Sequence, residues 1–324
     1  MPNHAIGVDV GGTKITAGVV DASAQVVSRY SVRSHAGRPP DEVIEAILEA
    51  TEAALSTEGL ERRAIAGVGV GFAGHVNGAQ GIVLTSSNLP AWDNHPLRDM
   101  LRQRLGIPVI LENDANCAAW AEYRFGAGRG SRFLCYVTIS TGFGAGIVID
   151  GKLYAGATGS AGEIGHVVVE PDGPPCTCGK RGCAMSYACG LAISRMACER
   201  LETDEPTLLR ELCGSTPERV SGEVVAEAAR QGDKVAIEIL TTAGHYFGIG
   251  LSTIVQVLNP DRIIVGGGLL QAGALIMEPA LRALNENIHP VLSGSAEIVP
   301  SEMGDDAGML GAAALVWESA LGRP

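Results

Sequence analysis

The sequence predicts an α/β protein in which one nucleotide-binding arrangement occurs twice. Residues 5–20 and residues 133–149 each contain a β-branched run, a turn rich in glycine and threonine, and a second β-branched run. Stretches with apolar residues at helical spacing follow these segments, and this alternation is typical of α/β proteins. Because the main-chain amides of such turns can face a phosphate, the two copies indicate a duplicated nucleotide-binding fold.

The length, charge and composition of the chain exclude several classes of protein. The chain of 324 residues is long enough for two domains with separate cores. Its net charge of -12 argues against a nucleic-acid surface, because clustered Lys and Arg hold phosphate backbones. It has no run of about 18 apolar residues, so we expect no membrane span. The absence of a disulfide framework and of an apolar signal segment favours a cytoplasmic protein that binds small polar ligands.

Residues 11–14 (Gly-Gly-Thr-Lys), here called the first cradle, join predicted strands over residues 5–10 and 15–20. The amides and the threonine hydroxyl of this turn can face a phosphate, and a plain hairpin turn is the alternative. A Walker A loop is excluded because its Gly-x-x-x-x-Gly-Lys-Ser/Thr pattern is absent. Asp9, at the end of the first strand, either holds a metal ion or caps the turn.

Two polar positions follow in the first half. A helix is predicted over residues 40–55, and a strand over residues 65–72 leads to Gly74. Gly74 either lets the backbone approach a ligand or merely turns the chain. Asn88 lies in a stretch whose polar groups suit hydroxyls, although a loop asparagine is more often a turn former.

Asp114 is the catalytic candidate of the first half. A predicted strand over residues 108–111 delivers it to the start of a helix over residues 117–124, and α/β sheets gather ligands at such strand ends. A carboxylate at this position is either a helix N-cap or a general base. The side-chain amides of Asn113 and Asn116 beside it favour a polar site.

Residues 141–146 (Thr-Gly-Phe-Gly-Ala-Gly), here called the second cradle, lie between predicted strands over residues 133–139 and 147–149. Helices are predicted over residues 188–201 and 222–257.

A further glycine run lies near the end of the chain. A strand over residues 263–265 feeds Gly266, Gly267 and Gly268, which would admit a flat adenine and ribose. A strand-to-helix turn is the alternative for these glycines. The last predicted helix covers residues 308–321.

His166, Cys176, Cys178 and Cys183 supply one imidazole and three thiols in a turn-rich run. This is the ligand set of a structural tetrahedral zinc site, and the glycines and prolines among the ligands let the backbone fold around one ion. The alternative is a set of scattered thiols, some of them buried as small apolar groups.

Five motifs, in this order, resemble the ROK family of repressors, open-reading-frame proteins and sugar kinases, and its bacterial glucokinases in particular. They are Asp9-x-Gly11-Gly12-Thr13-Lys14, Asn113-Asp114-Ala115-Asn116, Thr141-Gly142-x-Gly144-x-Gly146, Gly162-Glu163-x-Gly165-His166 and Cys176-x-Cys178-Gly179-x-x-Gly182-Cys183. The resemblance covers nearly the whole chain. It implies an actin-like ATPase (ribonuclease H-like) fold, with two α/β domains around a cleft.

The resemblance also implies a domain division. The smaller domain would contain residues 1–115, and the larger one would contain residues 116–304 with the zinc loop over residues 166–183. The last helix, about residues 305–324, would return to the first domain. A homodimer or homotetramer is expected on the same ground.

The resemblance further assigns roles to residues. Asp114 would be the base that takes a proton from a sugar hydroxyl, usually at carbon 6, as it attacks the γ-phosphate of Mg-ATP. Sugar hydroxyls would be bound by Gly74, Asn88, Asn113, Asp114, Glu163 and His166. The nucleotide and its magnesium would be bound by Asp9, Gly11, Gly12, Thr13, Lys14, Thr141, Gly142, Gly144, Gly267 and Gly268. His166 would bind zinc through one ring nitrogen and the sugar through the other.

Met185 departs from the family pattern, because sugar-phosphorylating members usually carry Glu two places after the last zinc cysteine. Methionine is a weak hydrogen-bond acceptor, so the substrate stays open. An ATP-dependent kinase for the 6-hydroxyl of glucose is the first hypothesis, and a kinase for N-acetylmannosamine, N-acetylglucosamine or fructose is the second. A sugar sensor or repressor is the third; family repressors carry a DNA-binding segment before the first cradle, and only three residues precede His4.

Overall fold

The computed structural model describes residues 2–34, 37–57, 61–86, 89, 91–214 and 220–320. The chain divides into two compact units. The first unit contains Met1–Tyr136, Gly146–Gly162 and Pro300–Pro324, and the second contains Val137–Ala145 and Glu163–Val299. Within the described residues, every helix is too short or too polar to span a bilayer.

The first unit is built on a five-stranded sheet. Its strands are β1 (His4–Val10), β2 (Lys14–Asp21), β3 (Val26–Arg33), β4 (Ile65–Phe72) and β8 (Val109–Asn113). They lie in the order β3-β2-β1-β4-β8. β1 pairs antiparallel with β2 and parallel with β4, and β4 pairs parallel with β8. The β-branched residues that predicted these strands, among them Val8, Ile15 and Val70, are buried.

A small antiparallel sheet and four helices complete this unit. The strands are β5 (His75–Asn77), β6 (Ile82–Thr85) and β7 (Asp93–His95), and the helices are α1 (Pro40–Thr57), α2 (Leu97–Leu105), α3 (Asp114–Phe125) and α9 (Ala307–Ala320). Glycines let α9 lie directly on the large sheet. A Cβ atom on Gly7 or Gly69 would overlap the backbone of Met309 or Ala312, respectively.

A second five-stranded sheet repeats the first. Its strands are β9 (Phe133–Ile139), β10 (Phe143–Ile149), β11 (Lys152–Leu153), β12 (Arg262–Gly266) and β13 (Glu297–Pro300). Their order is β11-β10-β9-β12-β13, so both sheets place the third strand first, followed by the second, first, fourth and fifth. The shared strand order confirms the duplication that the two cradles predicted.

The helices of the second unit differ in part from the sequence prediction. They are α4 (Gly190–Leu201), α5 (Leu209–Leu212), α6 (Gly222–Arg230), α7 (Lys234–Leu258) and α8 (Ala274–Asn287). The single helix predicted over residues 222–257 is wrong, because α6 ends at Arg230 and a second helix, α7, begins at Lys234. Gly232 has a φ of +87°, which ends a helix, and Asp233 caps α7 by accepting from the Ala236 amide at 2.8 Å.

A buried carboxylate joins the end of α3 to the segment that leads into α9. Glu122 is 0% exposed. Its Oε2 accepts from the Ala127 amide at 2.9 Å, and its Oε1 accepts from the Met303 amide at 2.9 Å and from the Ser301 hydroxyl. These donors compensate for the burial of the charge, which would otherwise be strongly unfavourable.

Replacing this carboxylate should destabilise the first unit strongly. Glu122→Ala leaves two partly buried amides and one hydroxyl without their acceptor. We expect the free energy of unfolding to fall by about 3 to 5 kcal/mol in urea denaturation. The control is Glu45→Ala, which removes an exposed carboxylate that pairs with Arg104 and should cost about 1 kcal/mol or less. Equal stability of the two variants would contradict the role of Glu122.

Candidate active site

Polar residues lie at the carboxyl ends of the parallel strands of the first unit. In the sheet register Asp9 on β1 lies beside Gly71 on β4, and Gly71 lies beside Glu112 on β8. A Cβ atom on Gly71 would lie 3.1 Å from Sγ of Cys117 on α3. The glycine therefore lets the start of α3 pack against the end of β4, at the edge where α/β sheets gather ligands.

Asp114 is the first residue of α3, which begins directly after β8 without a loop. The helix was predicted to begin at residue 117, and it begins three residues earlier because Asn113 caps it. The Asn113 side chain accepts from the Asn116 amide at 3.0 Å. The N-cap of α3 is therefore Asn113 and not Asp114.

The Asp114 carboxylate is held by two hydrogen bonds to one oxygen. Its Oδ1 accepts from Asn113 Nδ2 at 3.0 Å and from the Ala115 amide at 2.9 Å. These two donors fix the orientation of the carboxylate. A carboxylate held in this way can accept a proton from a hydroxyl.

Gly74 and Asn113 lie beside Asp114. Asn113 Nδ2 donates to the Gly74 carbonyl at 3.0 Å as well as to Asp114, so both hydrogens of its amide are used inside the protein. A Cβ atom on Gly74 would lie 2.7 Å from the Thr85 carbonyl oxygen, which explains why glycine is needed there. The structure thus brings together Gly74, Asn113 and Asp114, whereas Asn88 lies outside the described residues.

The first cradle is a tight turn with Asp9 behind it. The Gly11 amide donates to the Lys14 carbonyl at 3.0 Å, and the side chains of Thr13 and Lys14 are exposed while Gly12 is half-buried. Burial raises the pKa of Asp9 to about 6, although the positive charge of Lys14 opposes the shift.

Two residues near α9 also face Asp9, and the sequence analysis did not single them out. The negative charge of Asp305 adds to the raised pKa of Asp9. A Cβ atom on Gly308 would lie 2.9 Å from Asp9 Cγ, so the helix start approaches the carboxylate closely. The signal that could have identified them is the run Gly-Asp-Asp-Ala-Gly over residues 304–308, at the start of the last predicted helix.

The second cradle lies in the second unit and is closed by backbone hydrogen bonds. The Ser140 amide donates to the Gly142 carbonyl at 2.9 Å, and the Gly190 amide, at the start of α4, donates to the Ser140 carbonyl at 2.7 Å. Thr141 is exposed, and Gly142 and Gly144 are half-buried. The turn therefore keeps exposed polar groups while its backbone is fixed from one side.

A cavity of about 480 Å³ opens beside the second cradle. It is lined by Ser140, Thr141, Gly190, Leu191, Ser194, Ser221, Gly222, Glu223, Ala226, Glu227, Arg230, Gly268, Leu269, Gln271 and Ala272. Its volume lies within the range of about 300 to 1,000 Å³ found for small-molecule sites. Thr141 and Gly268, two residues predicted to bind nucleotide, thus line the same cavity.

Gly267 precedes Gly268, which lines this cavity. Its φ of +101° and ψ of 155° belong to a region that only glycine adopts readily. A Cβ atom there would lie 2.8 Å from the Ile139 backbone nitrogen. The glycine therefore permits close contact between the end of β12 and the end of β9.

The four predicted zinc ligands form one cluster. One ligand atom from each of His166, Cys176, Cys178 and Cys183 lies within 4.8 Å of all the others. His166 Nδ1 is 3.5 Å from Cys176 Sγ, and the sulfurs of Cys178 and Cys183 are 3.7 Å apart. Tetrahedral zinc with bonds of about 2.3 Å separates its sulfurs by about 3.8 Å, so the donor set and its spacing fit this ion.

The two ring nitrogens of His166 face different groups. Nδ1 faces the cluster, whereas Nε2 is 3.9 Å from a carboxylate oxygen of Glu163. Both residues lie on the turn that contains Gly165, where a Cβ atom would overlap the Phe143 carbonyl. The turn that holds Glu163 and His166 therefore lies against the second cradle.

Met185 links the cysteine cluster to the second cradle. It is half-buried, and its Sδ lies 3.8 Å from the position that a Cβ atom on Gly142 would occupy. Its carbonyl accepts from the Cys189 thiol at 3.1 Å, and Cys189 in turn caps α4. The residue that departs from the motif thus lies next to a predicted phosphate turn.

Comparison with known proteins gives consistent matches along the chain. A model of the ROK family matches residues 5–319. The glucokinase of Streptomyces coelicolor is 38% identical over 320 residues, which cover 97% of each protein. The glucokinase of Thermotoga maritima is 37% identical over 313 residues, again 97% of each.

A solved structure agrees with these matches. The crystal structure of a ROK family glucokinase from Streptomyces griseus, in complex with glucose and AMPPNP, is similar with a TM-score of 0.86 and 38% identity. The similarity covers 96% of this chain and 98% of that one. Together with the duplicated sheet order, it confirms the expected α/β fold of the actin-like ATPase type.

Neutralising Asp9 should stabilise the protein. The folded-state pKa of about 6 exceeds the ordinary value of 3.8, so the folded protein binds the Asp9 proton more tightly than the unfolded chain does. Above pH 6 the ionised carboxylate therefore lowers stability, and Asp9→Asn should raise the free energy of unfolding there by about 1 to 3 kcal/mol. The gain should shrink as the pH falls from 6 to 4, because the folded wild-type protein takes up the proton in this range while the unfolded chain, with a pKa of 3.8, stays mostly ionised.

Urea denaturation at several pH values checks this expectation, with Asp21→Asn as the matched control. Hydrogen bonding to Ser23 lowers the pKa of Asp21, so that substitution should destabilise at neutral pH. A pH-independent effect of Asp9→Asn, or a loss of stability at pH 8, would contradict the raised pKa.

Proposed function

This chain belongs to the ROK family, and we propose that it is an ATP-dependent glucokinase that phosphorylates the 6-hydroxyl of glucose. The observation that carries the proposal is its similarity to glucokinases over nearly its whole length, including one whose structure holds glucose and AMPPNP. The arrangement around Asp114 supports the same chemistry, because phosphoryl transfer requires positioned charges and one base more than covalent catalysis.

Asp114 is proposed as the general base. Its carboxylate, oriented by the Asn113 side chain and the Ala115 amide, would take the proton of the sugar hydroxyl. The freed oxygen forms a bond to the γ-phosphorus of ATP, the bond from that phosphorus to the β,γ-bridging oxygen breaks, and ADP leaves. The product is the sugar 6-phosphate, and the proton departs from Asp114 afterwards.

The sugar is proposed to be bound by Gly74, Asn88, Asn113, Asp114, Glu163 and His166. Because Asn113 donates both of its amide hydrogens within the protein, its first task is to orient Asp114. Its amide oxygen accepts from the Asn116 amide and can accept a second hydrogen bond from a sugar hydroxyl. A carboxylate and an imidazole three residues apart are suited to accept and donate hydrogen bonds to neighbouring hydroxyls.

Mg-ATP is proposed as the second substrate. The amides of the two cradles would hold its phosphates, and the cavity lined by Thr141 and Gly268 would take the adenosine. Asp9 would lie next to the magnesium, and the attraction of that cation would offset the cost of keeping the carboxylate ionised. The glycines at these turns allow main-chain atoms to approach the phosphates closely.

Zinc is proposed as a structural ion held by His166, Cys176, Cys178 and Cys183. Bound through Nδ1, it would fix the imidazole so that Nε2 points toward Glu163 and the sugar. We also expect a cytoplasmic enzyme that works as a homodimer or homotetramer, as the family resemblance implies.

Purified protein should release ADP when supplied with Mg-ATP and glucose. A coupled assay with glucose, fructose, mannose, N-acetylglucosamine and N-acetylmannosamine identifies the substrate, and polyphosphate in place of ATP tests the donor. We expect the highest kcat/KM with glucose and ATP. A preference for an N-acetylhexosamine would instead agree with Met185 altering the pocket. No turnover with any sugar would favour a sugar sensor over an enzyme.

Asp114→Asn should lower kcat in this assay by a factor of about 10² to 10⁴, the usual contribution of a general base. The amide oxygen can still accept the two hydrogen bonds at Oδ1, so the fold and the thermal unfolding temperature should be preserved. Asp99→Asn, an exposed carboxylate on α2, is the control and should keep full activity. Near-normal turnover of Asp114→Asn would remove Asp114 from the mechanism.

Removal of the metal should weaken sugar binding. A structural zinc contributes on the order of 10 kcal/mol to local folding, so Cys178→Ser or chelation should release the turn that holds Glu163 and His166. The metal content measured by mass spectrometry should fall from one zinc per chain toward zero, and KM for the sugar should rise more than tenfold. Cys198→Ser, outside the cluster, should keep its zinc. An unchanged sugar KM in verified zinc-free protein would contradict the proposal.

A further inference from the structure

Glu112 takes no part in the mechanism proposed above, although its carboxylate lies where β8 passes into α3. It is half-buried at the end of an edge strand. Its Oε1 accepts two hydrogen bonds, from the Asn113 amide at 2.8 Å and from Asn116 Nδ2 at 2.9 Å. One oxygen of Glu112 thus contacts both Asn113, the N-cap of α3, and Asn116, whose amide Asn113 accepts.

Asn116 depends on this contact for its orientation. Its side chain is 1% exposed, and its amide oxygen is buried without a hydrogen-bond partner among the described residues. The amide group is therefore oriented through Nδ2, which donates to Glu112. Turning the amide over would place its oxygen against the carboxylate, where the two acceptors would repel each other.

The contact continues through Asn113 to Asp114. The backbone amide of Asn116 donates to Asn113 Oδ1, and Asn113 Nδ2 donates to Asp114 Oδ1. Glu112 thus holds the Asn113 backbone on one side and the Asn116 side chain on the other. The Asn113 side chain lies between these two fixed points, and it is one of the two donors that orient the Asp114 carboxylate.

We propose that Glu112 is a positioning residue for Asp114, and that it acts through its oxygen as a hydrogen-bond acceptor. The inference rests on the proposed function of Asp114 as the base. Burial raises the pKa of Glu112, whereas the hydrogen bonds from Asn116 and Asn113 oppose that shift. The two hydrogen bonds require an acceptor oxygen, and a neutral oxygen at the same place would make the same two bonds.

Two substitutions of Glu112 distinguish the effect of its hydrogen-bond acceptor from the effect of its negative charge. Glu112→Gln keeps an oxygen at the same reach and removes the charge, whereas Glu112→Asp keeps the charge and withdraws the oxygens by one methylene. Both are conservative, so thermal unfolding temperatures close to the wild-type value are expected and verified first. The same pair of substitutions at Glu45, an exposed residue of α1, serves as the control.

The kcat of each variant is then measured by ADP release, with the sugar that the unsubstituted enzyme prefers. Glu112→Gln should keep kcat within about threefold of wild type. Glu112→Asp should lower kcat by about tenfold or more, because a displacement of about 1 Å in a catalytic group costs up to 10²-fold. KM for ATP should change by less than about twofold in both variants, since the nucleotide contacts are elsewhere. The Glu45 variants should match wild type.

The outcomes are distinct. Loss of kcat in Glu112→Asp with rescue in Glu112→Gln supports the inference. Equal kcat in all variants overturns it, and so does a larger loss in Glu112→Gln than in Glu112→Asp, which would assign the effect to charge. In each of these cases turnover by the unsubstituted enzyme leaves the proposed function intact. No turnover of any sugar by the unsubstituted protein overturns both.

Discussion

The direct passage from β8 into α3 is the constraint around which the candidate site is arranged. A helix that starts at a strand end leaves its first amides without partners inside the helix, and here polar side chains must accept them. Asn113 accepts from the Asn116 amide and Asp114 accepts from the Ala115 amide. The hydrogen bonds that make the helix start stable therefore also fix the position of the catalytic candidate.

Glycines in the sheet of the first unit let two helices pack directly against it. Gly71 admits the start of α3, and Gly7 and Gly69 admit α9. This packing brings Asp305 and Gly308 against Asp9, which buries a carboxylate that would be more stable in water. The position proposed to lie next to magnesium thus carries a carboxylate at the expense of folding stability, a conflict common at functional positions.

The second unit combines two kinds of local restraint. Main-chain contacts at Gly165 and Gly190 hold the second cradle from two sides, and the cysteine cluster holds the segment that contains His166. Met185 and Cys189 connect these two parts through side-chain and carbonyl contacts. A change at the cluster is therefore expected to reach both the residues proposed for sugar binding and the turn proposed for phosphate binding.

Local sequence patterns determined much of this protein. The β-branched runs and glycine turns predicted both hairpins and the duplication, and the spacing of His166, Cys176, Cys178 and Cys183 predicted the cluster, because these features arise from residues close together in the chain. The break at Gly232 was missed although Gly232 and Asp233 are typical residues of a helix end and a helix start. Strand β3 was not predicted because half of its residues are exposed, and helix α8 was not predicted because Pro279 lies inside it.

Only the tertiary structure decided which oxygens and amides meet. Sequence placed Asp114 near a helix start, but it could not tell which residue caps that helix, because the cap depends on hydrogen bonds of about 3 Å. Glu112 beside Asn116, and Asp305 beside Asp9, were likewise outside its reach. Asp9 and Asp305 are separated by most of the chain, and strand register and helix packing bring them together. Sequence thus determined which chemical groups are present, whereas long-range packing decided their partners, since burial and hydrogen-bond geometry are properties of the folded chain.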